Sequence, residues 1–139
     1  MTSPCAIPPR TSAGRGRVLP GIAAGIAAVL AKLPPQYLCA TMEFVRGAAR
    51  PAPAVVVAAA REAVLAASLR CAVDGCLRLS IATALLCRFR GAWPTWRVGV
   101  RSTPFSAHAW VEADGRAIGE SFPDGYYHPI LTVAPRGFA

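Results

Sequence analysis

The sequence predicts an α+β domain in which several helices come first and an antiparallel sheet follows. Ala-rich segments with helical spacing of apolar residues fill the first two thirds of the chain, whereas beyond Gly91 apolar residues alternate with a period of two. The length of 139 residues suits one domain, and hydrophobic residues, 54% of the chain, are enough to form its core. The expected organisation is a disordered arm over residues 1–16 and a single domain over 17–139, helical over 17–90 with its sheet over 94–135.

Apolar spacing predicts a first helix from about residue 18 to 33, stopped by Pro34 and Pro35. Its apolar stripe recurs at intervals of four, four, three and four residues: Val18, Ile22, Ile26, Val29 and Leu33. Such a stripe indicates a helix face that packs on the core or on a partner. The uncharged run is too short to cross a bilayer, which takes about 20 apolar residues, so a secretory signal is disfavoured.

Three further helices are expected before the sheet. They cover about 36–46, with Leu38, Met42 and Val45 on one face, then from after Pro53 to about Cys71, and 76–90. Gly47 and Gly91 end the second and fourth of them. Asp74 is a candidate N-cap for the fourth helix, because a side-chain oxygen just before a helix can accept a hydrogen bond from its first N–H groups.

The period of two predicts the strands. Trp96, Val98 and Val100 form one face of a half-buried strand. The segments HAWVEA (108–113) and RAIGE (116–120) predict a hairpin around Asp114-Gly115, and the tail from Pro123 through YYHPILTV supplies one more strand.

Two registers of this hairpin are compatible with its sequence. A three-residue loop, residues 113–115, pairs Glu112 with Arg116 as an exposed cross-strand pair and brings His108 opposite Glu120. A two-residue Asp-Gly turn sends the Glu120 carboxylate to the other face of the sheet. We favour the three-residue loop, because a carboxylate facing an imidazole fixes its tautomer and stabilises its cation.

The net charge of +8 comes from 15 basic residues, 14 of them Arg, against seven acids. The basic residues are scattered, so a nucleic-acid footprint is not indicated, while attraction to an acidic peptide or partner protein is compatible with this charge. Five cysteines without paired C-x-x-C spacing argue against a disulfide framework or a zinc site. A reducing, cytoplasmic location follows as the expectation, with at most one reactive thiol.

Three residues carry the expected chemistry. Cys76 begins the fourth helix, where unpaired N–H groups and the helix dipole stabilise a thiolate. His108 opens a strand, and Glu120 is the carboxylate expected opposite it. A helix-start Cys, a strand His and a carboxylate on the adjacent strand form the arrangement of papain-like enzymes. This site needs no metal and no organic cofactor.

Other conspicuous side chains are expected to be structural. The tryptophans fill the helix–sheet interface, with the wall of a substrate cleft as the alternative for one of them: Trp93, Trp96 and Trp110. Surface or edge-strand packing is expected for Tyr126, Tyr127 and His128. Arg78 and Arg101 either meet substrate carboxylates or stay solvated.

From Cys76 to Thr132 the chain resembles the lasso-peptide leader peptidases, which belong to the transglutaminase-like, papain-type cysteine proteases. The matching runs are CLRLSIATALLCRFRG, WPTWRVGVR, PFSAHAWVEADGR, IGE and GYYHPILTV. The resemblance implies Cys76 as nucleophile, His108 as general base and acid, and Glu120 as the third member. Two positions depart from it: many relatives have Arg where this chain has Leu79, with Arg78 one step earlier, and Asp where it has Glu120.

The resemblance implies cleavage between the leader and the core of a precursor peptide. Residues 1 to 70 contain Ala-rich helices after the arm and show no strand alternation, so a winged-helix-like recognition domain is not expected there. The implied partners are a separate leader-recognition protein and an ATP-dependent macrolactam synthetase, and a membrane-surface contact through residues 18–33 stays open. Two other functions are weighed: acyl transfer to an amine, as in transglutaminases, and an inactive precursor-binding module.

Overall fold

A computed structural model of the protein describes residues 18–68, 75–123 and 125–136. The helices among them are α1 (Val18–Leu30), α2 (Pro35–Arg46), α3 (Ala54–Ala67) and α4 (Cys76–Phe89). The strands are β1 (Arg50–Pro51), β2 (Ala92–Trp93), β3 (Thr95–Ser102), β4 (Phe105–Ala113), β5 (Arg116–Ala117) and β6 (His128–Val133). The predicted α+β class is confirmed. The expected arm at residues 1–16 and the cap candidate Asp74 lie outside the described residues.

Helix α4 is the centre of the fold. It is buried without interruption from Ser80 to Cys87, as befits a helix that is covered on all sides. Helices α1 and α3 pack against it on one side and strand β4 on the other. Trp93 and Trp96, both fully buried, close the core between α4 and the sheet, as the sequence predicted. Cys76 is thereby fixed at the exposed end of a helix that cannot shift without disturbing the core.

The larger sheet is antiparallel with the order β5-β4-β3-β6, and β1 and β2 form a separate parallel pair. The third predicted strand is much shorter than expected, because β5 stops at Ala117 instead of continuing to Glu120. Within the described residues, β4 therefore has a strand partner on its β5 side only near the hairpin turn.

The favoured hairpin register is wrong. Glu112 pairs with Ala117, which leaves Asp114 and Gly115 as a two-residue turn with φ of 53° and 80°. Asp and Gly tolerate positive φ, and turns with positive φ at both positions match the twist of paired strands. Glu112 accordingly does not pair with Arg116. Its ion pair is with Arg97, at 3.4 Å between Nε and Oε1.

A hydrogen bond between the turn and helix α3 fixes the shape of the turn. The Asp114 Oδ2 atom accepts a hydrogen bond of 2.9 Å from the backbone N–H of Ala54, the first residue of α3. Pro53 at the N-cap position provides no side-chain cap. The first N–H of α3, which has no partner within the helix, thus donates to a residue of the hairpin. This hydrogen bond links α3 to the sheet.

One of the two expectations for α1 was that its apolar stripe packs on the core. Most of the stripe does not. The buried residues of α1 are small or cyclic: Pro20, Ala23, Ala24 and Ala27. Val18, Ile22, Ile26 and Val29 are 39–65% exposed, and only Leu33 of the stripe packs partly against the core. None of the helices in the described ranges is long and apolar enough to span a membrane.

Candidate active site

Cys76 is the first residue of α4, as predicted. The preceding Gly75 has φ 138° and ψ 158°, a conformation that favours glycine and turns the chain into the helix. The first backbone hydrogen bond of the helix runs from Leu79 N–H to the Gly75 carbonyl, at 3.2 Å. The N–H groups before Leu79 lack intrahelical partners and, with the helix dipole, favour negative charge at the half-buried Cys76 thiol.

His108 and Glu120 are in direct contact. The imidazole Nε2 atom lies 2.9 Å from Glu120 Oε1, with the two side chains 20% and 16% exposed. A carboxylate at Nε2 favours the tautomer that is protonated there and leaves the Nδ1 lone pair for another group.

This contact arises by a route different from the predicted strand pairing. After β5 the Ile118 N–H donates to the Val111 carbonyl at 2.9 Å, and the chain then leaves the sheet at Gly119, whose φ is 76°. Glu120 is therefore not a strand residue, and the face rule that would have sent its carboxylate away from His108 does not apply to it.

A small cavity connects Cys76 with Glu120. Its volume is about 10 Å³, the space of a single water molecule. Arg61 of α3, Ala109 and Val111 of β4 are also in its wall. Arg61 crosses closely over Gly119, where a Cβ atom would lie 2.6 Å from the guanidinium carbon. Arg61 was not predicted as a site residue, because its position in the cavity wall depends on how α3 packs.

The structure does not place the Cys76 thiol against the His108 ring. Three consecutive residues of β4, Ala109, Trp110 and Val111, line the cavity beside Cys76, and His108 is not in its lining. No hydrogen bond joins Cys76 Sγ to the imidazole, although both residues are described. Glu120 and Trp110 both line the cavity and both contact the imidazole.

Three aromatic rings surround His108. Trp110 and Tyr127 lie nearly parallel to the imidazole with centroids 5.9 Å and 5.3 Å away, and Phe122 meets it edge-on at 5.6 Å. These contacts limit how far the ring can turn. Trp110 belongs to this aromatic group and also lines the cavity beside Cys76, in line with the cleft-wall alternative for one tryptophan. The expectation of surface packing for Tyr127 is corrected, because its ring stacks on His108.

Gly99 of β3 makes this arrangement sterically possible. It pairs with His108, and a Cβ atom there would lie 2.8 Å from Trp110 Cη2 and 3.0 Å from the His128 carbonyl oxygen. The absence of a side chain lets the indole lie flat against β3. The Trp110 Nε1–H donates to Glu112 Oε2 at 2.8 Å, which fixes the indole from its far side.

The other residues considered as site candidates are Arg101, Arg78 and His128. Arg101 donates to the Tyr126 hydroxyl and places its guanidinium 4.3 Å above that ring. Arg78 is half-buried beside α1. His128 is exposed at the start of β6, in line with the expected surface position.

The other thiols in the described residues are less acidic than usual. Burial raises the pKa of Cys87 to about 12, and burial, with the Glu43 carboxylate nearby, raises the pKa of Cys39. Both effects disfavour the nucleophilic thiolate. No group of three or more histidine, cysteine or acidic side chains that could hold a metal ion is found in the described parts of the chain.

Residues 21–132 match the family described as Transglutaminase-like superfamily. The chain belongs to this superfamily. The matched region begins in α1 and ends in β6, so it includes Cys76, His108 and Glu120. Neither a curated protein nor a solved structure matches the chain. Membership of the transglutaminase-like superfamily confirms the broader part of the resemblance, and the leader-peptidase specificity remains to be tested.

Proposed function

We propose that this transglutaminase-like protein is a cysteine peptidase that removes the leader segment from a ribosomally made lasso-peptide precursor. The observation that carries the proposal is the 2.9 Å contact between His108 Nε2 and Glu120 Oε1, with Cys76 at a helix start on the cavity that this same glutamate lines. A nucleophile, a base and a group that orients the base are the elements of such a triad.

Each residue has a distinct role in the proposed reaction. The Cys76 thiol passes its proton to His108 Nδ1, and the thiolate attacks the carbonyl carbon of the scissile peptide bond. The N–H groups of Cys76 and Leu77, at the start of α4, stabilise the oxyanion. The imidazolium then protonates the leaving amine, which becomes the new N-terminus of the core peptide. Water, deprotonated by the imidazole, hydrolyses the thioester and releases the leader.

Substrate binding has to complete this geometry. The cavity beside Cys76 holds only about one water molecule and must widen to admit a peptide carbonyl. His108 Nδ1 and Cys76 Sγ must also meet at the edge of β4. This edge is open to rearrangement, because β5 ends at Ala117 and the following residues leave the sheet. Catalytic contacts that tighten only in the substrate complex are common in cysteine and serine hydrolases.

The proposal includes two partners. Helices α1 to α3 pack around α4 and its sheet, which supports the proposal that the described residues form the peptidase and that leader recognition is provided by another protein. A separate leader-recognition protein supplies the leader contacts, and an ATP-dependent macrolactam synthetase uses the free amine of the core. Tethering of the precursor by its leader raises the local substrate concentration to about the millimolar range.

The test uses purified protein and candidate precursors taken from short reading frames encoded beside this chain, with and without the neighbouring candidate recognition protein. We expect two products whose summed mass exceeds the precursor mass by one water, and a rate that rises strongly with the recognition protein at micromolar precursor. A product that joins the leader to an amine would instead establish acyl transfer. Equal rates with and without the second protein would remove the partner from the proposal.

An inactive binding module is the remaining alternative. It predicts that the protein binds the precursor without changing its mass. The substitution Glu120→Gln distinguishes a peptidase from an inactive binding module. It keeps the shape of the carboxylate but removes the charge that stabilises the imidazolium, so cleavage should fall by about 10- to 10⁴-fold while precursor binding is unchanged.

A further inference from the structure

In an ordinary surface helix the large apolar side chains face the core. In helix α1 they face outward, and the small side chains face the core. Small or cyclic residues pack inward, which allows α1 to lie close to α4. Five large aliphatic side chains point outward and are between 39% and 65% exposed; we call them the α1 face: Val18, Leu19, Ile22, Ile26 and Val29. Contiguous exposed apolar surface of this kind marks an interaction site.

The chemistry of the α1 face suits lipid better than protein. From residue 18 to 31 every side chain is aliphatic or absent, so the segment has no side-chain hydrogen-bonding group and no aromatic ring. Protein interfaces usually contain about one hydrogen bond per 100–200 Å² and are enriched in aromatic residues and Arg. Acyl chains need no such partners. The helix has 13 residues and one side fixed in the core, so it can lie along a bilayer surface but cannot cross it.

The charge around this segment favours an anionic surface. Residues 1–42 contain four basic residues and no acidic residue, the first acid being Glu43. The four are Arg10, Arg15, Arg17 and Lys32. They amount to half of the net charge of +8 and lie on either side of the aliphatic run in the sequence. Each basic residue near an anionic bilayer strengthens binding by about fivefold.

We propose that the α1 face is a membrane-surface site that binds bilayers containing anionic lipids, with its aliphatic side chains at the acyl boundary and Lys32 near the headgroups, while the net positive charge of residues 1–42 attracts the protein to the anionic surface. This interaction does not depend on the proposed peptidase activity. It would hold the protein at a membrane surface by two contributions, aliphatic insertion and charge, of which neither alone gives stable attachment.

The experiment is flotation of the full chain with vesicles of phosphatidylcholine alone and of equimolar phosphatidylcholine and phosphatidylglycerol. We expect binding to the anionic vesicles, weakened by salt, and little binding to the neutral ones. The double substitution Ile22→Ser/Ile26→Ser should lower the partition coefficient by about tenfold or more. Ile and Ser have similar helix propensity, so α1 should persist, which circular dichroism checks.

A matched control substitutes exposed apolar residues elsewhere. Phe44 and Val55 are 86% and 74% exposed on α2 and α3, and Phe44→Ser/Val55→Ser should bind vesicles like the unchanged protein. Three results would overturn the proposal: no flotation with anionic vesicles, equal loss in the control, or a dimer in sedimentation velocity that Ile22→Ser/Ile26→Ser dissociates without lipid. The last result would make the α1 face an interface between two copies of the chain.

Discussion

The substitution Gly99→Ala tests how the aromatic group around His108 is built. Gly99 pairs with His108 across β3 and β4 and lies beneath the indole of Trp110. Its backbone conformation is not one reserved for glycine, so alanine brings only the added methyl group. That group would lie 2.8 Å from Trp110 Cη2 and 3.0 Å from the His128 carbonyl oxygen. Carbon atoms prefer about 3.5–4.0 Å, so the overlap with the indole is about 0.7 Å or more.

The overlap is difficult to relieve. The Trp110 ring is in contact with His108, Phe122 and Tyr127, and the second clash is with the backbone of β6. Overpacking of this kind costs about 1–3 kcal/mol. The smaller entropy of alanine in the unfolded chain offsets about 0.5–1 kcal/mol. The expected net loss is about 1–2 kcal/mol in the free energy of unfolding, or about 4–8 °C in Tm.

Urea unfolding followed by tryptophan fluorescence measures this loss, and precursor cleavage measures its effect on the site. We expect lower stability together with a lower kcat, since a displaced Trp110 no longer stacks on His108. Gly21→Ala is the control: nothing lies within 4 Å of a Cβ atom there, on an exposed position of α1, so stability should rise by about 0.5–1 kcal/mol. A Gly99→Ala protein as stable as the unchanged one would refute the close packing of Trp110 on β3.

Three further perturbations have definite expected results. Asp114→Ala removes the cap on Ala54 and places alanine at φ 53°, so calorimetry should show a loss of about 1–2 kcal/mol, whereas Asp114→Asn retains most of the stability. Tyr127→Leu removes a ring stacked on His108 and should lower kcat by about 2- to 10-fold, and activity equal to that of Tyr127→Phe would contradict a positioning role. Cys87, with its pKa raised from 9.0 to about 12, keeps its proton when folded but loses it when unfolded between these pH values. Stability should therefore fall there by about 1.4 kcal/mol per pH unit more than in Cys87→Ala, and parallel curves would contradict this.

The fourth helix and strand β3 could be predicted because their periodicity is local. The fourth helix was expected over 76–90 and forms over Cys76–Phe89, which places the Cys76 thiol at a helix start. The alternation around Trp96 likewise predicted β3. The hairpin register was predicted wrongly, although Asp-Gly favours the two-residue turn that the structure has. The hydrogen bond that Asp114 accepts from the N–H of Ala54, 60 residues away in the chain, could not be predicted from local pattern.

The contact between His108 and Glu120 was predicted, but for the wrong reason. Glu120 was expected to be a strand residue in a three-residue-loop register, whereas the chain leaves the sheet at Gly119 and the Glu120 carboxylate contacts the imidazole from outside the strand. The complementarity of an imidazole and a carboxylate predicted the correct partner for His108, whereas the predicted strand pairing was wrong. Because the tail folds back over β4, the sequence also gave no sign that Tyr127 stacks on His108.

The outward face of α1 illustrates another limit of sequence patterns. A stripe of large aliphatic residues shows that a helix has an apolar side but not which side meets the core. Ala23, Ala24 and Ala27 provide the closer contact with the neighbouring helices, and this decides the orientation.

The central claim is that Cys76 is a nucleophile activated by His108, and site-resolved alkylation tests it without a known substrate. The chain is treated with limiting iodoacetamide at several pH values, and peptide mass spectrometry gives the labelling rate of each cysteine. We predict that Cys76 reacts faster than Cys39 and Cys87, whose pKa values are raised, and that His108→Ala slows the labelling of Cys76 near neutral pH while Cys39 is unaffected. Labelling of Cys76 no faster than that of Cys39, or at a rate unchanged by His108→Ala, would contradict the account.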